Sequence, residues 1–186
     1  MSARKVVLAG LLGALLVASK EALSAVPGVE LVTTLIILYT LELPALAPWA
    51  VAVFVVLQFL LYGFGLWSWG YLYIWLLLVL LARLLRRMES PVGWAVLAGA
   101  YGLGFGALFT PIYFITQGPG GALAWWLAGI PTDVAHGVSN FLVMLLLYKP
   151  LRGVLHRAVT LYNAPAGSWP GGGAVYYSLF PRGLMS

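Results

Sequence analysis

Long apolar stretches follow one another along the chain, separated by short breaks rich in glycine and proline, and the strongly polar residues gather at the breaks. Runs of roughly 15–24 residues suit α-helices that cross a hydrocarbon layer ~30 Å thick. They predict six spanning helices, at 6–26, 29–43, 49–66, 71–85, 92–115 and 131–148. The second and fourth are short for a full crossing and are expected to extend into their loops. Pro27-Gly28, Pro44 with Pro48, Ser90-Pro91 and Gly118-Pro119-Gly120-Gly121 mark joints. The joint at 116–130 is the longest and contains Trp125-Trp126, which suits a lid or an interfacial helix. The expected fold is an all-α integral membrane protein, a six-transmembrane-helix bundle over residues 1–157. Residues 158–186 are turn-rich and non-periodic, and are expected to form a mobile cytoplasmic tail.

One predicted helix departs from the apolar pattern. Asp133, His136 and Asn140 fall within an arc of about 60° on one face, all in the first half of the 131–148 helix. Met144 and Leu147 continue that face as apolar residues. Polar groups in hydrocarbon are costly without a partner or a water-filled cavity, so the half-stripe reads as the wall of a pocket open at one membrane face. Asn140 lies about 14 Å along the axis from Pro131 and would form its floor. Asp133 stays open between two roles, ligand contact and capping of its own helix's first turn behind Pro131.

Composition strengthens the membrane reading. Of 186 residues, 62% are hydrophobic and 8% charged, against roughly a quarter charged in soluble domains. No room remains for a nucleotide-binding βαβ domain. Basic residues cluster at Arg4/Lys5, Arg83/Arg86/Arg87 and Lys149/Arg152/Arg157. With six helices these clusters share one side, which the positive-inside rule assigns to the cytoplasm together with both termini. The net charge of +5 is then topological, and nucleic acid is not an expected partner. The absence of cysteine excludes disulfides and thiol chemistry. The first segment has signal-peptide features, but five hydrophobic segments follow and a retained first helix is expected.

Other patterns carry paired readings. Gly10, Ala14, Ala18 and Ala22 recur every fourth residue, as a surface for a partner helix or as ordinary packing inside the bundle. Between Tyr62 and Trp75 aromatic residues are dense, and Gly63, Gly65 and Gly70 suggest a bendable loop. These rings form either an interfacial belt or a pocket wall, with Trp67, Trp69, Tyr71 and Tyr73 as the wall residues. Tyr113 and Gln117 approach the same face and could close the pocket. Gly99, Gly102, Gly104 and Gly106 allow tight helix contact. Lys20, Glu21 and Glu30 bracket the first outer loop, either paired with one another or forming the pocket rim. No metalloprotease, nucleophile-elbow or paired-carboxylate motif is present. Asp133 and His136 lack a third metal ligand.

Taken together, Ala14-Leu-Leu-Val-Ala18, Val26-Pro27-Gly28-Val29-Glu30-Leu31, Tyr62-Gly-Phe-Gly-Leu-Trp67 with Tyr71-Leu-Tyr73, and Gly129-Ile-Pro-Thr-Asp133-Val-Ala-His136-Gly-Val-Ser-Asn140 resemble a known family. It is that of the S components, the substrate-binding membrane subunits of prokaryotic energy-coupling factor vitamin transporters. The resemblance covers about residues 6–155 and is nearest the branch that includes cobalamin S components. It implies a multi-pass plasma-membrane protein that captures a vitamin near the outer face and is not itself an enzyme. It also implies a transmembrane coupling subunit and two cytoplasmic ATPases as partners, with Gly10, Ala14 and Ala18 in the partner interface. No cofactor is implied beyond the vitamin as cargo. The tail departs from the family pattern. Two rival functions are an intramembrane enzyme using Asp133 and His136 on a lipid-like substrate, and a scaffold associating through the first helix.

Overall fold

The computed structural model describes residues 2–26 and 28–163. They form α1 (Ala3–Ala22), α2 (Val32–Glu42), α3 (Ala47–Tyr62), α4 (Leu66–Leu84), α5 (Pro91–Leu103) and α6 (Phe105–Asn163), with no strand among the described residues. Only Gly104 separates α5 from α6, so the two make one run, Pro91–Asn163, of 73 residues. That run and Leu66–Leu84 are long and apolar enough to cross a membrane.

α2 is the hub. Its sequence is mainly apolar, with Thr33, Thr34 and Thr40 its only polar residues before Glu42, and each residue from Val32 to Thr40 is buried. A helix without a polar face has to be surrounded by protein or lipid, and here α1, α3, α4 and α6 surround it. Ile36, Ile37, Phe54, Ile74, Leu78, Trp94 and Met144 complete the fully buried core. At ~1.5 Å per residue α2 is only about 16 Å long, half the thickness of a bilayer's hydrocarbon. It is shorter than the predicted 29–43 span because residues 28–31 and 43–46 turn rather than continue the helix.

Two close approaches set the rest of the bundle. α1 meets α3 at Gly13, where a Cβ would come within 2.9 Å of the Ala50 carbonyl oxygen. α5 meets α6 at Gly99, Gly102 and Gly137, with backbone against backbone. The outward face carries Val7, Leu11, Val56, Leu60, Leu80, Leu84 and Leu146, all exposed. An apolar surface of that extent suits hydrocarbon rather than water.

The segment at 116–130 is helical, not a loop. Its break is the single residue Gly118, at φ 74°, ψ −178°. Pro119 opens a new helical arm, and 122–128 supply good helix formers. That arm runs through Pro131, which is therefore not a first helical residue. The predicted 92–115 helix is in turn divided at Gly104. Gly70 lies inside α4, and only Gly63–Gly65 bend; Gly63 needs its φ of 72°. The boundary expected at 157 falls within α6, which runs on to Asn163. Glu42 accepts from Arg152 Nε at 2.7 Å and meets His156 Nδ1 at 2.9 Å, and past them Arg4 of α1 donates to the Tyr162 carbonyl at 2.8 Å and lies 4.0 Å over its ring. The remainder of the expected tail, 164–186, lies outside the described residues.

Candidate functional site

At the opposite end of α2 the helices enclose a cavity of about 100 Å³. α4 supplies two rings from one face, Tyr71 and Trp75, one helical turn apart and edge-to-face at 5.5 Å. Phe105, at the start of α6, stands 5.4 Å from Trp75 and 5.7 Å from the His136 ring. Gly102 of α5 closes the wall beside His136 and Asn140 of α6. Glycine is required there, since a Cβ on Gly102 would sit 2.7 Å from the His136 carbonyl oxygen. Lys20, Glu30 and Val32 complete the lining from the side of the α1–α2 connection.

The polar groups form a chain with open ends. The Glu30 carboxylate accepts the Thr33 N–H at 2.9 Å and the Thr33 hydroxyl. Asn140 Nδ2 donates to Thr33 Oγ1 at 3.3 Å. Asn140 Oδ1, His136 Nδ1 and Trp75 Nε1 are buried without a hydrogen-bond partner. A buried polar atom left so costs roughly 1–3 kcal/mol. Outside the cavity's polar chain, the Lys20 ammonium lies 3.4 Å from Glu21 and 4.6 Å above the Tyr62 ring, while Tyr62 donates to Glu21.

Of the expected ligand contacts, Tyr71, His136 and Asn140 line this cavity, as do Lys20 and Glu30 from the possible rim. The others lie elsewhere. Trp67 packs edge-on against Tyr71 at 5.2 Å, behind the wall. Trp69 is 59% exposed on the outer face of α4. Tyr73 donates to the Leu108 carbonyl, and Tyr113 stacks on Trp125 at 4.0 Å. Gln117 is exposed and its side chain lies against Gly121. Asp133 is buried and accepts the Gly106 N–H at 2.9 Å, so it caps the first turn of α6 and not the helical segment that follows it. Gly106 has no room for a side chain against that carboxylate.

Trp75, Phe105 and Gly102 were not among the expected contacts. Trp75 was legible as the residue one turn after Tyr71 within the predicted 71–85 helix. Glu30 and Lys20, left open as rim or mutual pair, divide: Lys20 pairs with Glu21, and Glu30 pairs with neither. The ladder on α1 faces outward, with Ala14, Ala18 and Ala22 exposed and nothing within 4 Å of a Cβ on Gly10. Among the described residues no group of three His, Asp or Glu side chains converges as a metal site. No family model, curated protein or solved structure matches this chain.

Proposed function

We propose that this chain is a six-span membrane subunit that captures a small organic molecule, of the vitamin class that the sequence resemblance implies, and hands it to an ATP-driven coupling module. The single observation that carries the reading is the ring-lined cavity with three buried polar atoms lacking partners. Pockets of this make-up, apolar walls with a few convergent polar groups, are the usual form of small-molecule sites. Tyr71, Trp75 and Phe105 supply ring contacts, while His136, Asn140 and Glu30 orient the ligand. The exposed apolar faces of α1, α3, α4 and α6 lie against lipid, and the basic clusters fix both termini in the cytoplasm. The outward Gly10, Ala14, Ala18 face of α1 suits close approach of a coupling subunit's helix.

The cavity's size bears on the cargo. A volume near 100 Å³ holds one ring-sized group, so cobalamin would seat only one of its parts unless the α1–α2 connection and α4 separate. Native mass spectrometry of the purified chain in detergent, against cobalamin, cobinamide, riboflavin, thiamine, folate, biotin and pantothenate, tests the reading. One tight one-to-one adduct, lost in His136→Ala with Asn140→Ala, is the expected result. A folded chain that binds none of them would overturn it.

A further inference from the structure

The charges at the cavity end of the bundle do not balance. Glu21 has the Lys20 ammonium at 3.4 Å. Asp133 and Glu30 have no basic side chain within salt-bridge reach among the described residues, where the ion pairs are Lys20–Glu21, Arg152–Glu42 and His156–Glu42. The other described lysines and arginines belong to the clusters at Arg4/Lys5, Arg83/Arg86/Arg87 and Lys149/Arg152/Arg157. Of the two uncompensated carboxylates, Glu30 lines the cavity and Asp133 does not.

Glu30 is also held in place. Thr33 donates to it through both its N–H and its hydroxyl, and Asn140, 2% exposed, donates to that hydroxyl from across the interface. A carboxylate offers about four acceptor positions, and Thr33 occupies two of them. The remaining positions are free for donors on a ligand. The same cavity is lined by the rings of Tyr71, Trp75 and Phe105, and aromatic faces attract cations within about 6 Å. Lys20 lines the same cavity, but its ammonium is engaged by Glu21 at 3.4 Å and by the Tyr62 ring. A fixed carboxylate with no ion-pair partner of its own, in a small space lined by aromatic rings, is the chemistry of a cation site.

Resting on the capture function proposed above, we infer that the group seated in this cavity is a compact organic cation: an alkylammonium, an amidine or a protonated heteroaromatic ring. Size agrees. A cavity of about 150 Å³ accommodates benzene; this one, about 100 Å³ and partly open, sets a compact ring or a branched ammonium as the upper size of the seated group. A larger molecule would leave its remainder outside the mouth.

Three soluble probes of nearly one shape separate charge from fit: benzamidine (a cation at neutral pH), benzamide and benzoate. Their binding to the purified full chain in detergent is measured by isothermal titration calorimetry. Benzamidine is expected to bind at least about tenfold more tightly than benzamide, with benzoate weakest. In Glu30→Gln the preference for benzamidine over benzamide falls below about twofold. The amide oxygen still accepts from the Thr33 N–H, so the start of α2 is kept. Should that variant not fold, the ratio of benzamidine to benzamide on the parent chain decides.

Benzamide or benzoate binding as well as benzamidine overturns the inference, and so does a preference that persists in Glu30→Gln. A vitamin adduct together with no benzamidine binding removes the cation assignment and leaves the capture function standing. Silence from vitamins and probes alike removes both.

Discussion

Asn140 on α6 donates to the hydroxyl of Thr33 on α2, 3.3 Å away, and Thr33 in turn donates to Glu30. Two helices far apart in sequence are thus joined beside the cavity by one polar relay, and Asn140 Oδ1 is left buried without a partner. Replacing Asn140 by Leu removes the interhelical bond and the free acceptor together. Thermal unfolding in detergent is expected to show a loss of about 1–2 kcal/mol. Ligand affinity should fall at least about tenfold, since hydrogen bonds to a fixed buried partner are worth that much. Affinity unchanged in a folded Asn140→Leu protein would take Asn140 out of the site.

Glycines on α5 and α6 divide by what surrounds them. A Cβ on Gly102 meets the His136 carbonyl at 2.7 Å, whereas nothing lies within 4 Å of a Cβ on Gly129. Gly102→Ala is expected to push the two helices apart at a cost of about 1–3 kcal/mol, displacing His136 and weakening binding. Gly129→Ala should be neutral or stabilise by roughly 0.5–1 kcal/mol, as alanine does in a helix. Melting temperatures of the two variants measured side by side check this, and equal losses would contradict the close approach of the backbones.

Asp133 tests capping against chemistry. Its carboxylate accepts the Gly106 N–H at 2.9 Å. Asp133→Asn keeps an acceptor there, and is expected to fold and bind ligand like the parent. Asp133→Leu loses the cap, with a stability cost of about 0.5–2 kcal/mol. An enzyme that used this residue as an acid or base would instead lose turnover in Asp133→Asn, so incubation of both proteins with lipid substrates distinguishes the two roles.

The outward face of α1 gives a separation of functions. Ala14 and Ala18 are exposed, so replacing both by Leu should leave the melting temperature and ligand affinity of the isolated chain unchanged. Uptake in cells that also supply a coupling subunit and its ATPases is expected to fail, because bulky side chains block close helix approach. Undiminished uptake would move the partner surface elsewhere.

The sequence by itself determined that the chain is helical and apolar, and it located the polar half-stripe. Both follow from local chemistry: long runs of Leu, Val, Ala and Ile leave no polar face for a soluble fold, and the helical period alone aligns His136 with Asn140. The break at Gly118 was legible as a joint, but not its size. Gly-Pro-Gly-Gly reads as a loop by propensity, while only one of its residues needs positive φ and a proline opens a helix readily. Tertiary structure alone decided which polar residues share a cavity. Asp133 and His136 lie on nearly one face of one helix, yet Gly106 at the α5–α6 break takes Asp133 away from the cavity. Glu30, Tyr71, Trp75, Phe105 and Asn140 come from four separate stretches of chain and meet because α2, buried on all sides, draws the other helices around it. No period within a single helix encodes that meeting, since it depends on where backbones approach closely at Gly13, Gly102 and Gly137.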